Sequence, residues 1–170
     1  MIINDKKLKN IPNSQDQTCF GCGAKNLHGL QMKFSTDDHR LYSFTKVPVA
    51  MAGWDKTVHG GILSTILDEV MGWSLIYLFK KLGVTKTITV NFVKPVQVKE
   101  QLTVVGGIQQ KLSDRTVLMM GEIYKEDDTL CANATGEFTM MEPKLAVRLG
   151  LVSPDYMKMF EPILTFNYEG

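Results

Sequence analysis

The stretch "VHGGILSTILDEVMGWSLIYLF", residues 58–79, constrains the whole chain. Past Gly60 and Gly61 its apolar residues fall at nearly every helical angle: Ile62, Leu63, Ile66, Leu67, Val70, Met71, Trp73, Leu75, Ile76 and Leu78. A helix apolar almost all round is buried almost all round, so the rest of the chain must enclose it. The spacing predicts a helix over about 60–81, roughly 30 Å long. Lys80 and Lys81 suit its C-terminal end and Gly83 its stop. Length alone would also suit a membrane span. Asp68 and Glu69 sit at its centre, however, and a carboxylate is costly at mid-bilayer, so a buried helix with no membrane partner is expected.

The flanking segments supply the enclosure. "LQMKF" (30–34) and "LYSFTKV" (41–47) read as strands, and "PVAMAGWDKT" (48–57) as loop. After the helix come four strand-like runs, 87–96, 101–108, 116–124 and 130–141, the last two separated by a turn at "EDD" (126–128). Short connections make these antiparallel neighbours. The fold class is therefore α+β: an antiparallel sheet of about five or six strands wrapped around one long central helix. Residues 1–18 read as a flexible arm, 19–142 as the domain, and 143–170 as an extension. Ser153 and Pro154 give that extension a short helix over 153–164.

Charge narrows the partners. Nineteen basic residues against eighteen acidic ones leave no basic surface for nucleic acid. "MIINDKKLKN" at the start holds no apolar run of signal-peptide type, so a cytoplasmic location is expected. Three cysteines, Cys19, Cys22 and Cys131, are too few and odd in number for a disulfide framework. Cys19-x-x-Cys22, with His28 and His39 downstream, lacks a second ligand pair at zinc-site spacing. No metal and no cofactor are expected; the "CFGCGAKNLHG" loop (19–29) reads as packed thiols and turn-forming glycines.

Two features of the helix carry chemistry. Its first N–H groups are unpaired and bear partial positive charge. Gly60 and Gly61 let a ligand approach them, which makes a candidate oxyanion hole. Asp68 lies on a stripe with Gly61, Ser64, Thr65 and Gly72, all small or polar, and so has room beside it. Glu69 is turned about 100° away among bulkier neighbours, and is read as a partner for a Lys or backbone group in the sheet. Gly61 and Asp68 are about 10.5 Å apart along the axis, too far to serve one carbonyl. Two helices from two subunits related by a two-fold axis overcome that distance.

"VHGGILSTILDE" followed by "TITVNFVKPVQVKEQL" resembles the hotdog-fold acyl-CoA thioesterases, of the PaaI-like branch. "CFGCGAKNLHGL" (19–30) is similar to an N-terminal signature of a subgroup in that superfamily. The resemblance implies hydrolysis of an acyl-CoA by a homodimer or dimer of dimers. It implies that Gly60 or Gly61 N–H polarises the thioester carbonyl. Asp68 of the partner subunit would act as general base or nucleophile. His59 would orient the site near the thiolate, and Thr85 would help place water. Trp54, Ser64 and Thr65 are the expected substrate contacts. Some relatives carry Asn six residues before the His, where this chain has Gly53. The alternative is a non-catalytic acyl-CoA binder or regulator on the same fold, which would lack the acid or the room beside it. The stripe predicts that Asp68→Asn abolishes thioester hydrolysis in a folded protein, whereas Glu69→Gln has a much smaller effect. Release of free thiol measures both; full activity in Asp68→Asn would reject the assignment.

Overall fold

Helix α1 (Gly60–Phe79) is the axis of the computed structural model, which describes residues 7–168. Leu63, Ile66, Leu67, Val70, Met71, Leu75 and Ile76 are among its buried residues. Half of the apolar length that would suit a membrane is buried inside the protein. Lys80 ends the helix earlier than expected: it adopts the left-handed conformation (φ 53°) and donates its N–H to Ile76 O. Its ammonium reaches the carbonyls of Ile163 and Phe166 at 3.2 and 2.6 Å, which fixes a conformation unusual for lysine. Gly83, the expected stop, lies instead in a strand, where a Cβ would fall 2.7 Å from Leu75 Cδ1.

One sheet wraps the helix. Its strands are β1 (Lys9–Asn10), β2 (Ser35–Thr36), β3 (Leu41–Lys46), β6 (Leu82–Phe92), β7 (Gln101–Lys111), β8 (Thr116–Lys125) and β9 (Leu130–Met141). A separate hairpin pairs β4 (Ala52–Trp54) with β5 (Thr57–Val58) just before α1. The sheet order is β1-β2-β3-β7-β8-β9-β6, and every pairing is antiparallel. Five strands are long and two are two-residue ribbons, so the expected architecture is present. Burial alternates along β8 as a half-covered strand requires. Strand β6 begins at Leu82 rather than at 87, and this carries Thr85 into the sheet.

The helix beds into a row of small residues. Gly106 on β7 is opposite Gly121 on β8, which is opposite Ala134 on β9. A Cβ on Gly106 would lie 2.6 Å from Ser74 Oγ and 2.8 Å from Val70 O. On Gly121 it would lie 3.2 Å from Leu67 Cδ2. Larger residues there would push α1 off the sheet.

The ends differ from the sequence expectation. Residues 1–6 lie outside the described residues. Residues 7–18, expected to be a free arm, pack: β1 pairs with β2, Ile11 is buried, and Gln17 is 1% exposed. Residues 30–34 alternate in burial as a strand would, but form no ladder. Their amides instead bond the cysteine loop, Leu30 N–H to Phe20 O and Met32 N–H to Gly21 O. The extension folds as α2 (Pro143–Arg148), α3 (Pro154–Lys158) and α4 (Glu161–Thr165). Ser153 caps α3 as expected, accepting from Tyr156 N–H. One helix does not continue to 164, because Pro162 cannot donate to and sterically opposes the carbonyl four residues earlier. Gly106→Ala should destabilise the protein by about 1–3 kcal/mol through overpacking; the midpoint of urea unfolding checks this.

Candidate active site

The His-Gly-Gly turn opens α1. His59 is the N-cap, with extended backbone, and its Nδ1 accepts the Gly61 N–H at 2.9 Å. The His59 carbonyl accepts from Ile62 and Leu63 N–H at 2.9 and 3.3 Å. Among the described residues, Gly60 N–H is the first-turn donor with no acceptor. The expected pair of donors thus narrows to Gly60, since Gly61 is held by the neighbouring imidazole. A Cβ on Gly60 would meet the Phe92 ring at 3.4 Å, ordinary contact.

The start of the helix borders two spaces. A groove of about 770 Å³ is lined by His59, Gly61, Ile62 and Thr65, with Phe20, Leu27 and Met51 opposite. A second, of about 270 Å³, is lined by Gly60, Leu63, Phe92, Lys94 and Val96. Trp54 is 88% exposed and joins Gly53, His59 and Gly60 around a shallow recess. Ser64 and Thr65 each donate to a helix carbonyl, Gly60 O and Gly61 O, at 3.0 Å. Thr65 reaches the larger groove. Phe20, Leu27 and Met51 join that groove beyond the expected residues; the first two are the large apolar residues of the "CFGCGAKNLHG" loop, and Met51 comes from the 48–57 segment.

Asp68 lies elsewhere. Thr85 Oγ1, brought in by β6, donates to Asp68 Oδ1 at 2.8 Å. Asp68, Thr85, Gly72 and Glu69 line a cavity of about 200 Å³ together with Cys19, Cys22 and Tyr156. Nothing lies within 4 Å of a Cβ built on Gly72, so the small-residue stripe does open space beside Asp68. The cavities that Gly60 borders are distinct from the one that Asp68 lines. The structure therefore groups the expected residues in two sets: His59, Gly60, Gly61, Thr65 and Trp54 at the start of α1, and Asp68 with Thr85 near its middle.

Glu69 departs from its expected role. No Lys is paired with it among the described residues; its Oε1 accepts the Trp73 indole N–H at 3.1 Å. Cys19 Sγ stands 3.7 and 3.8 Å from its two carboxyl oxygens. A Cβ on Gly21 would fall 2.3 Å from Oε2, so the loop closes directly on this side chain. Burial, then the Cys19 charge, pushes the Glu69 carboxyl up to about 7. The Cys22 thiol, followed by the N–H groups of Cys22 and Gly21, brings Cys19 down to about 5. The same sharing with Cys19, together with burial, pushes Cys22 up. Trp73 also stacks on Phe34, ring centroids 4.7 Å apart. Trp73→Phe should keep that stacking but strand the Glu69 carboxyl, at a cost of about 1–3 kcal/mol, read from the urea midpoint against wild type.

Comparison with known proteins gives a consistent setting. Residues 55–132 match the family profile described as "Thioesterase superfamily". An uncharacterized protein of Schizosaccharomyces pombe is 30% identical over 93 residues, 52% of this chain and 53% of that protein. The match thus spans about half the length of that relative. Among solved structures, the thioesterase superfamily protein RHA08564 aligns with a TM-score of 0.66 and 22% identity, over 72% of this chain and 60% of that one. The PaaI protein of the E. coli phenylacetic acid degradation operon aligns with a TM-score of 0.58 and 19% identity, over 66% and 80%. A hypothetical thioesterase from Streptococcus pneumoniae, solved with coenzyme A, aligns with a TM-score of 0.56 and 24% identity, over 62% and 80%.

Proposed function

We propose that this hotdog-fold chain, whose central domain is of the thioesterase superfamily, hydrolyses an acyl-CoA thioester at a site shared by two subunits. The observation that carries the proposal is the division of the site. A free N–H at the positive end of α1 and a hydroxyl-held carboxylate midway along it open on different cavities. Acyl transfer to water needs both at one carbonyl.

Strand β6 offers the means of joining them. It is eleven residues long and ends the sheet, with Val84 and Phe92 47% and 57% exposed. Such an edge pairs readily with another chain. The Asp68–Thr85 pair lies against this edge strand, so a partner docked there brings its own α1 close to Asp68. A two-fold axis makes the exchange reciprocal and yields two equivalent sites.

The chemistry follows from these groups. Gly60 N–H of one subunit polarises the thioester oxygen and holds the negative charge that develops on it. Removing such a donor costs about 10²–10³ in turnover. Asp68 of the other subunit takes a proton from water or attacks the carbonyl itself. Thr85 holds Oδ1, and Asp68 lines the cavity. The thiolate is a good leaving group, so no stronger acid is needed. The groove walled by Phe20, Leu27, Met51 and Ile62 suits an apolar acyl or pantetheine segment. Lys94, beside Gly60, is placed for an anionic end of the substrate.

A mixing experiment tests the shared site. Asp68→Asn and Gly60→Val chains should each be inactive. Co-expressed at equal levels, half the dimers are mixed and each mixed dimer holds one intact site, which restores about a quarter of wild-type activity. Native mass spectrometry confirms that mixed dimers form. Mixed dimers as inactive as the parents would overturn the shared site.

A further inference from the structure

The proposed chemistry uses Asp68 and Thr85 but leaves the opposite wall of their cavity unexplained. There Cys19, Cys22 and Glu69 converge, one ligand atom from each lying within 4.8 Å of the others. We propose that Cys19, Cys22 and Glu69 form a binding site for one zinc ion, which clips the N-terminal segment to helix α1. This inference stands independently of the hydrolase reading.

Geometry is the first support. Zinc holds thiolate sulfur at about 2.3 Å and carboxylate oxygen at about 2.0–2.2 Å in a tetrahedron, which puts neighbouring ligand atoms roughly 3.5–3.8 Å apart. Cys19 Sγ lies 3.7 Å from Glu69 Oε1 and 3.8 Å from Oε2. That pair already has the ligand spacing of such a site, and Cys22 Sγ lies within 4.8 Å of both partners.

The loop is the second support. Gly23 N–H donates to Cys19 O at 2.9 Å, which closes the Cys-x-x-Cys turn and brings both thiols to one side. Gly21 N–H points at Cys19 Sγ, 3.3 Å away, a contact that favours a thiolate. Asn13 Nδ2 donates to Cys22 O at 2.9 Å and Met32 N–H to Gly21 O at 2.9 Å, so the loop is fixed from both flanks. A side chain at Gly21 would strike Glu69, and one at Gly23 would strike the Cys19 backbone at 2.5 Å. The two glycines allow the loop to reach the carboxylate. Trp73 Nε1 orients Glu69 from behind, the hydrogen-bonded second layer that metal ligands commonly have.

Charge is the third. Two thiols and a carboxylate crowd together with Asp68 beside them, yet no Lys, Arg or His is paired with Glu69 or Asp68 among the described residues. A divalent cation supplies the missing positive charge. Two soft sulfurs select zinc over magnesium or calcium. Three protein ligands leave a fourth position, which opens on the 200 Å³ cavity that Asp68 also lines. Cys131 is remote in role: it is fully buried on β9.

The test uses the full-length protein, purified without a metal-binding tag under reducing conditions. Elemental analysis should find about one zinc per chain. After removal of metal and addition of Co²⁺, thiolate-to-cobalt charge-transfer absorption should appear and saturate at one equivalent. In native protein, chelation should raise the alkylation rate of Cys19 and Cys22 at least tenfold while Cys131 stays protected, read by peptide mass spectrometry. Cys22→Ser and Glu69→Gln should each weaken Co²⁺ uptake at least tenfold, with circular dichroism confirming that the chains are folded. Should either variant fail to fold, the wild-type stoichiometry and protection still decide. Zinc-free protein that takes up no Co²⁺ when fully reduced would overturn the proposal. So would a Cys19–Cys22 disulfide as the stable form after metal is offered to the reduced chain, or Co²⁺ uptake unaffected by both substitutions.

Discussion

Burial of one helix that is apolar on almost every side is the constraint on which this structure depends. Only a surface that curls can cover such a helix, and an antiparallel sheet curls when its strands twist. Contact is close because Gly106, Gly121 and Ala134 form a row of small residues across three strands. The helix lies in that row, with Val70 and Leu67 against it. Everything functional is then positioned relative to α1. Its start points at open grooves, and its middle faces the β6 edge on one side and the cysteine loop on the other.

The two adjacent acids show how one helix can serve two environments. A turn of about 100° separates their directions. Asp68 meets Thr85 and open space beside Gly72. Glu69 meets Trp73, Gly21 and Cys19. Burial, then the Cys19 charge, pushes the second carboxyl up to about 7. The proposed hydrolytic and metal sites therefore share a wall without sharing residues.

Much of this was legible before any coordinates. The central helix, the long strands and the small-residue stripe at Asp68 all follow from local spacing. The misreadings cluster where a distant partner decides. Lys80 ends α1 because carbonyls of residues 163 and 166 hold its ammonium. Residues 30–34 alternate like a strand, yet their amides bond to the cysteine loop. Residues 7–18 look polar enough to be free, yet Gln17 is buried and accepts from the Tyr156 hydroxyl at 3.0 Å. Glu69 meets the cysteine loop although it lies 50 residues beyond Cys19 on another element, a contact that chain spacing does not encode.

The sequence by itself determined the helix, the antiparallel sheet around it and the separate directions of Asp68 and Glu69. Each rests on periodicity and on the chemistry of neighbouring residues, which act over one or two turns. The tertiary structure alone decided that Thr85 holds Asp68 and that the cysteine loop closes on Glu69. These depend on contacts between residues far apart in the chain, whose spacing in sequence carries no record of their distance in space.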